Sequence, residues 1–303
     1  MPKPLLICVV GATAIGKTAL AIKIANAFST EILSADSRQF FKEMAIGTAV
    51  PSTEELSQAK HHFIQNISVV DTYTVGDFER DALAKLDSIF QKKNIAVLVG
   101  GSGLYVDAVV KGLDNFPKVD PKIRIELNKD LEQFGITSLQ EKLKEVDFES
   151  FKTIDIHNPR RVIRALELFI ETGKQYSYFL NENKVARPFN TLYIGINAPR
   201  ETIYDRINKR VDIMIEEGLV DEAKGLLKYR ELNALQTVGY RELFQHFDGE
   251  ITLEEAISEI KKNTRRFAKR QGTWFRKNET INWFDFDADF LIIEGFIKTK
   301  SAL

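Results

Sequence analysis

The residues best suited to chemistry near the start of the chain form a phosphate-binding pattern. Gly11 and Gly16, followed by Lys17 and Thr18, fit the spacing G-x-x-x-x-G-K-S/T. The glycines let successive backbone N–H groups turn toward one anion, and the next helix adds about half a positive charge at its N-terminus. We expect Lys17 to neutralise phosphate oxygens and the Thr18 hydroxyl to hold Mg²⁺. The predicted cradle comprises Gly11, Ala12, Thr13, Ala14, Ile15, Gly16, Lys17 and Thr18.

Two further loops carry polar side chains directly after predicted strands. Asp36 and Ser37 follow one strand, and Ser102 stands among glycines after another. Ligands of open α/β sheets bind beyond the carboxyl ends of the strands, so these loops should meet the phosphate cradle at one edge. There Asp36 could accept a proton or ligate Mg²⁺ through water, and Ser102 could donate to a developing negative charge. Alternatively, Asp36 caps a turn and Ser102 is an ordinary helix N-cap.

The elements that position these loops are short apolar strands that alternate with helices. The pattern predicts strands at residues 5–10, 31–35, 94–99 and 192–197. Continuous apolar strands of this kind indicate a parallel sheet covered on both faces, here an α/β core like that of P-loop NTPases. A later apolar stripe at helical spacing predicts a buried helix face that ends near Gly218; its members are Ile203, Ile207, Val211, Met214 and Ile215.

The middle of the chain has a different pattern. Residues 117–189 are mostly charged, with amphipathic helical spacing and no convincing strand. We expect an all-helical insertion domain there, which contacts the partner described below. Residues 1–116 and 190–303 would then form one discontinuous catalytic core, rather than two domains in series.

Composition excludes several classes of protein. The 303 residues are 44% hydrophobic and 28% charged, with a formal net charge of -1, which is typical of a globular protein and argues against a bulk polyanion binder. The single cysteine, Cys8, excludes an internal disulfide framework and a cysteine-rich zinc site. It is interpreted as a small buried apolar residue. Without a long apolar run or a signal-peptide pattern, we expect a cytoplasmic protein with no membrane partner.

One local stretch departs from that neutral balance. Residues 261–277 read KKNTRRFAKRQGTWFRK and contain no acidic residue. Positions 261, 262, 265, 266, 269 and 270 share one helix face, and a face of one sign indicates a polyanion partner, although a solvated charged face is the alternative. Trp274 and Phe275 are predicted to be core residues. A second basic cluster opens a helix in the insertion and consists of Arg160, Arg161 and Arg164.

Taken in order, several segments resemble the tRNA dimethylallyltransferases, also called tRNA isopentenyltransferases. The resemblance spans about residues 5–277, and the ordered set is far more specific than the phosphate pattern alone. The similar segments are GATAIGKTALAIKIA (11–25), SADSRQFFKEMAIGTAVPS (34–52), HHFI (61–64), YTVGDFERDAL (73–83), VLVGGSGLYVDAVVKGL (97–113), NPRRVIRALE (158–167), TVGYRELF (237–244) and TRRFAKRQGTWFR (264–276).

This resemblance implies a reaction. A dimethylallyl group would pass from dimethylallyl pyrophosphate to the N6 amine of the adenosine 3′-adjacent to the anticodon, with release of pyrophosphate. Asp36 would be the general base, while Lys17 and Mg²⁺ near Thr18 would stabilise the leaving group. Ser102 stands where the family usually has threonine, which keeps a hydroxyl near the bridging oxygen. Arg206 and Arg210, one helical turn apart, are predicted as additional pyrophosphate ligands.

The resemblance also implies contacts to the tRNA anticodon arm. Because the target base is stacked in the anticodon loop, the protein should extrude this base and read the neighbouring single-stranded bases. We expect the protein to be a monomer. The implied contact residues are Asp36, Ser37, Arg38, Gln39, Ser102, Arg124, Arg160, Arg161, Arg164, Gln236, Thr237, Gly239, Tyr240, Arg241, Thr264, Arg265, Arg266, Lys269, Arg270 and Gln271.

Three alternatives share part of the pattern. A small-molecule kinase of the P-loop class would use the cradle, Lys17, Thr18 and Asp36 for ATP, but would not need the basic helix. An isopentenyltransferase acting on free adenosine nucleotides would need no extended basic surface. A non-catalytic P-loop RNA-binding protein would not need Asp36.

Overall fold

The chain forms a parallel sheet, seen in a computed structural model that describes residues 3–180 and 186–301. Its strand order is β3-β2-β4-β1-β5-β6, and every neighbouring pair is parallel. Within the described residues the strands are β1 (Leu5–Gly11), β2 (Ile32–Ser34), β3 (His61–His62), β4 (Ile95–Gly100), β5 (Asn190–Asn197) and β6 (Ile281–Asp285).

Helices connect the strands and account for most of the remaining described structure. Several begin at a capping box, as at Thr252 and Glu255 before the long basic helix. The helices are α1 (Lys17–Ala27), α2 (Thr53–Gln58), α3 (Val75–Phe90), α4 (Gly103–Lys111), α5 (Pro121–Val146), α6 (Phe148–Thr153), α7 (Pro159–Thr172), α8 (Arg200–Glu216), α9 (Leu219–Gly225), α10 (Tyr240–Phe247), α11 (Leu253–Arg276) and α12 (Phe290–Ser301).

Both faces of the sheet are covered, which confirms the predicted fold class. Alternate residues of β1 enter different apolar clusters: Leu6 and Cys8 pack into one, Ile7 and Val9 into the other. Each of these side chains is fully buried. Burial raises the pKa of the Cys8 thiol, so the interpretation of Cys8 as a small apolar core residue is confirmed.

The chain divides into two compact units. One comprises Met1–Lys111 together with Arg187–Leu303 and contains the sheet; the other is Gly112–Ala186. In the described part of the second unit, α5, α6 and α7 enclose a core of its own, with Leu139, Leu143 and Val162 fully buried. The helix α5 is kinked at Gly135, because the φ of this residue, 74°, lies outside the helical range.

Two strands were missed by the sequence patterns. β3 is only two residues long, which is too short to produce a periodic signal. β6 is an edge strand whose side chains alternate between partly covered and exposed after its first residue, so it lacks the apolar run of the central strands. The stop of α8 just before Gly218, with φ of 101°, was predicted correctly. Within residues 3–180 and 186–301, no helix is long and apolar enough to cross a membrane.

Candidate functional site

The phosphate-binding pattern folds as a tight loop between β1 and α1. Gly11 has φ of 148°, and a Cβ there would lie 2.8 Å from the carbonyl oxygen of Ile196. Gly16 caps α1 with φ of 105°, and Ala14 is left-handed with φ of 62° although it is not a glycine. This curled backbone, which leads directly into a helix N-terminus, is the geometry that directs N–H groups at an anion.

Lys17 is held inside this loop as a cation. Its Nζ donates to the carbonyl oxygen of Ala12 at 2.7 Å. Burial lowers the pKa of Lys17 to about 8; Asp36 opposes this shift, and Arg210 adds to it. The side chain therefore stays predominantly charged at neutral pH, with its ammonium group inside the loop.

The loops after β2 and β4 meet as the strand order requires. The Oγ of Ser102 accepts from the backbone N–H of Ser37 at 3.2 Å and donates to the Ser37 hydroxyl at 3.3 Å. A Cβ at Gly100 would lie 2.5 Å from the carbonyl oxygen of Ala35, so the close approach of the two loops needs glycine there. Half-buried Asp36 accepts from the N–H of Arg38 at 3.0 Å. This hydrogen bond caps a turn, which is the alternative role that the sequence allowed for Asp36.

Two arginines of α8 lie at the same loop. The Nε of Arg206 donates to the carbonyl oxygen of Ala14 at 2.8 Å. Arg210 lies deeper; burial and the charge of Arg206 lower its pKa, while Glu55 and Asp36 act in the opposite direction. The structure thus gathers Lys17, Arg206 and Arg210 around the curled backbone, an arrangement suited to an anion of several negative charges.

Gln271 does not fit the expected exposed contact to RNA. Its side chain is only 6% exposed. The Oε1 accepts from the N–H of Thr13 at 2.7 Å, and the Nε2 donates to the carbonyl oxygen of Gly101 at 3.0 Å. In this structure both ends of the amide are used by backbone groups, so Gln271 joins two loops rather than presenting a group at the surface.

Tyr240 and Gly239 are also placed differently from the expectation. Both are buried, and the Tyr240 ring is fully enclosed with its hydroxyl donating to Glu222 at 2.6 Å. Burial raises the pKa of Tyr240 and the neighbouring Glu222 adds to this. This burial corrects the expectation of direct RNA contact at these two positions. Gln236 and Arg241 of the same segment are exposed, and Thr237 is half-buried.

Glu222 was missed by the sequence analysis. Its carboxylate accepts from the backbone N–H groups of Ala45, Ile46 and Gly47 at 2.8–2.9 Å, in addition to the Tyr240 hydroxyl. One glutamate thus fixes the loop that follows Asp36. In the sequence Glu222 is one acid of a short charged helix, and no local pattern separates it from its neighbours.

The segment after Asp36 is braced by its own side chains. Gln39 accepts from the Ser34 hydroxyl at 3.2 Å and donates to the carbonyl oxygens of Thr48 and Ala49. Arg38 donates to the carbonyl oxygens of Asn233 and Ala234 at 2.7 and 3.0 Å. Both side chains therefore stabilise the loop in which Asp36 and Ser37 lie.

The basic face of α11 is divided. Lys261 and Lys262 pair with Asp212 and Glu259, at 2.5 and 2.8 Å. Arg265 donates to Asn208, and Thr264 to the carbonyl oxygen of Ile260. The exposed cationic part lies further along the helix, where a groove is lined by Arg266, Lys269, Arg270, Thr273, Trp274 and Lys277.

The two aromatic residues of α11 have different environments. Phe275 is 3% exposed and belongs to the core, as predicted. Trp274 is 42% exposed, so its assignment to the core was wrong. Its Nε1 donates to Asp107 at 3.1 Å, which holds the indole at the rim of the cationic groove.

The arginines of the helical unit fall into two groups. Arg124 forms two 2.7 Å hydrogen bonds to Glu167, and Arg164 also donates to this carboxylate, which is 1% exposed. Their guanidinium groups therefore compensate a buried charge. Arg160 and Arg161 are exposed at the start of α7.

Among the described residues, no group of three or more His, Cys, Asp and Glu side chains could by itself hold a metal ion. Thr18 at the start of α1 and half-buried Asp36 carry the oxygen atoms near the cradle that could ligate a metal ion. Such a sparse set fits Mg²⁺, which usually takes one or two protein oxygens together with substrate phosphates and waters.

The paired histidines lie on β3. His61 Nδ1 is 2.8 Å from the carbonyl oxygen of Ala59, and His62 Nε2 is 2.7 Å from Glu31. Burial lowers the pKa of both rings. Their contacts connect this short strand to adjoining backbone and to Glu31.

The chain is similar to prenyl-transferring proteins over nearly its whole length. The family model described as IPP transferase matches residues 39–278. A tRNA dimethylallyltransferase of Christiangramia forsetii is 61% identical over 295 residues, which covers 97% of this chain and 98% of the relative. A second, of Flavobacterium psychrophilum, is 56% identical over 97% of this chain and 98% of its own length.

Solved structures have the same fold. The tRNA isopentenylpyrophosphate transferase of Bacillus halodurans is 38% identical with a TM-score of 0.75, over 99% of this chain and 97% of its own. A eukaryotic dimethylallyltransferase described as acting on tRNA is 25% identical with a TM-score of 0.80, over 98% of this chain and 77% of its own.

Proposed function

Because the chain belongs to the IPP transferase family, we propose that it is a tRNA dimethylallyltransferase. It transfers the dimethylallyl group of dimethylallyl pyrophosphate to N6 of the adenosine 3′-adjacent to the anticodon. The observation that carries this proposal is the meeting of three loops: Ser102 bonds to Ser37, and the charges of Lys17 and Asp36 interact. A possible base and a cationic cradle therefore face the same edge of the sheet.

The cradle binds the pyrophosphate of the donor. Its negative charge is offset by the side chains of Lys17, Arg206 and Arg210 and by backbone N–H groups of the loop. The Thr13 N–H is not among these groups, because it is bonded to Gln271. Thr18 would hold Mg²⁺, which when bound would supply further positive charge at the pyrophosphate. The same groups stabilise the charge that grows on the leaving group as the carbon–oxygen bond breaks.

Asp36 takes the proton that the acceptor amine loses. The N6 electron pair forms a bond to C1 of the dimethylallyl group, and the electrons of the C1–O bond pass to the pyrophosphate. The proton passes from N6 to the Asp36 carboxylate, and the Ser102 hydroxyl stabilises the bridging oxygen. Positioned proton transfer of this kind contributes about 10²–10⁴-fold to a rate.

The tRNA binds through exposed cationic surfaces. The groove around Arg266, Lys269 and Arg270 meets backbone phosphates, and Arg160 and Arg161 provide a second basic surface on the helical unit. The target base leaves its stack to reach Asp36. Since one chain supplies both the base and the cradle, we propose that the protein acts as a monomer. We also propose that it acts in the cytoplasm.

Mass spectrometry of nucleosides tests this function. The protein is incubated with unmodified tRNA, dimethylallyl pyrophosphate and Mg²⁺, and the RNA is digested; we expect prenylated adenosine. A parallel reaction offers free adenosine nucleotides. Modification of the free nucleotide but not of tRNA, or no prenylation together with ATP-dependent phosphorylation of a metabolite, would contradict the proposal.

A further inference from the structure

Gln271 is the point at which the basic helix α11 contacts both loops of the reaction site. Its carbonyl oxygen receives the Thr13 N–H of the phosphate loop, and its amide nitrogen donates to Gly101 O, the carbonyl that directly precedes Ser102. The planar amide carries an acceptor and a donor and so satisfies both backbone groups at once. The amide is nearly buried, so neither bond is easily replaced by water.

The loop beside Gln271 is shaped to admit this amide. A Cβ at Gly101 would lie 2.2 Å from the Gln271 Nε2 and 3.5 Å from the Nζ of Lys17. Glycine at position 101 therefore leaves room for the amide, and the lysine of the cradle lies on the same side. The Gln271 amide is thus packed tightly against the Gly101 backbone, so movement of one displaces the other.

The rest of α11 is fastened independently of Gln271. Trp274 donates to Asp107 of α4, and a Cβ at Gly103 would lie 2.2 Å from its indole ring. Ala268, one turn before Gln271, packs against Ala12 and Ala14 of the phosphate loop. The helix thus presents Arg266 and Arg270 to solvent while its opposite face touches the loops of the site.

We propose that Gln271 is a positioning residue that sets the phosphate loop and the Ser102 loop at their working separation. This inference rests on the proposed function, because it assigns Gln271 to the pyrophosphate side of that reaction. Gln271 does not bind RNA in this role. It fixes the Thr13 amide and the backbone next to Ser102, so that the phosphate loop and the Ser102 hydroxyl contact the same leaving group.

The test compares Gln271→Met and Gln271→Glu with Ser258→Ala, a control at an exposed position of the same helix. Methionine has similar length but leaves Thr13 N–H and Gly101 O without partners. Glutamate still accepts from Thr13, but sets a second oxygen against Gly101 O and adds a negative charge near Lys17. Alanine at position 258 removes the hydroxyl group of an exposed residue and leaves both Gln271 contacts in place.

The readouts are kcat, KM for tRNA, melting temperature and the Kd for inorganic pyrophosphate with Mg²⁺ by calorimetry. We expect about tenfold lower kcat and about tenfold weaker pyrophosphate binding for Gln271→Met, with a larger binding loss for Gln271→Glu. KM for tRNA should stay within about twofold. Ser258→Ala should leave kcat and pyrophosphate binding within about twofold.

A purely structural role would give a different result. Melting temperature would fall, and the folded fraction of Gln271→Met would bind pyrophosphate as the unchanged protein does; that outcome overturns the proposal. If the Gln271 variants do not fold, Gly101→Ala tests the same contact from the other side, since its methyl group displaces the amide. Unchanged kcat and pyrophosphate affinity in a folded Gly101→Ala protein would equally overturn it.

Pyrophosphate binding needs no transfer reaction, so this test is separate from that of the proposed function. If the unchanged protein prenylates no tRNA, weaker pyrophosphate binding by Gln271→Met still supports the positioning of the phosphate loop. If the protein prenylates tRNA and Gln271→Met matches it in kcat and pyrophosphate affinity, the function stands and the positioning role fails.

Discussion

At the scale of single residues, the proposed chemistry depends on Asp36 and Lys17, whose opposite charges attract each other at one edge of the sheet. Their interaction acts to keep Lys17 protonated against the effect of burial. Asp36 has in addition a local bond to the Arg38 N–H, which fixes the direction of its carboxylate. Substitutions can therefore test the role of Asp36 separately from the role of the cradle.

Asp36→Asn should lower kcat for prenylation by about 10²–10⁴-fold. Asparagine keeps the oxygen that accepts from Arg38 N–H, so the turn should persist while the proton acceptor is lost. Single-turnover kinetics and tRNA binding by filter retention measure the two effects. An equal loss of turnover and tRNA affinity would remove Asp36 from the role of base.

Pyrophosphate binding should weaken as pH rises through about 8, because the Lys17 ammonium group is protonated below this pKa and neutral above it. The limiting slope is about tenfold in Kd per pH unit. Calorimetry between pH 6.5 and about pH 9.5 measures the profile. Lys17→Arg remains charged throughout and corrects for ionisation of pyrophosphate itself. Parallel profiles of the two proteins would contradict the assignment.

At the scale of elements, the loop after β2 is held by a helix distant in sequence. Glu222 of α9 receives three successive backbone N–H groups of residues 45–47, and Tyr240 supports it from α10. Gly47 lies so close to the Tyr240 ring that a Cβ would be 2.6 Å from it. The loop that contains Asp36 is therefore set by tertiary contacts.

Glu222→Ala should destabilise the protein by about 1.5–3 kcal/mol, since the three N–H groups and the Tyr240 hydroxyl lose a charged acceptor. Chemical denaturation measures the change in the free energy of unfolding. Asp221→Ala, at an exposed position of the same helix, is the matched control and should change it by less than about 0.5 kcal/mol. Equal stability of both variants would show that Glu222 does not hold this loop.

Sequence predicted the parts of the site that depend on local pattern. The phosphate loop is recognisable because the G-x-x-x-x-G-K-S/T spacing itself produces the curled backbone, and Asp36 and Ser102 follow from strands that end at one edge. Gln271, Tyr240 and Glu222 were misjudged or missed because their roles depend on contacts between residues far apart in the chain. The helical pattern of the sequence shows which residues share a helix face, but it does not show which loop each of them contacts.

At the scale of the whole molecule, a nearly neutral chain carries local cationic surfaces. The net charge is -1, but the charges are unevenly distributed. Two lysines of α11 are paired with acids, whereas the cations of the groove are exposed. In the proposed function, this division limits the RNA contacts of α11 to its C-terminal half. Such a distribution favours one folded RNA over nucleic acid in general.

The salt dependence of tRNA binding should report this groove. Replacing Arg266, Lys269 and Arg270 by alanine should reduce the slope of log Kd against log salt by about 2. Lys261→Ala with Lys262→Ala is the matched control, because these charges are already paired with Asp212 and Glu259. An equal reduction of slope in both proteins would contradict the location of the RNA surface.

In the proposed reaction, the cradle and Asp36 transfer a prenyl group to one adenosine of tRNA. Its most direct test maps the product in an unmodified anticodon stem-loop after reaction with dimethylallyl pyrophosphate and Mg²⁺. We expect fragment mass spectrometry to show one dimethylallyl group, on the adenosine 3′-adjacent to the anticodon, with one pyrophosphate released for each group transferred. An unmodified stem-loop, or prenyl groups scattered over other adenosines, would contradict it.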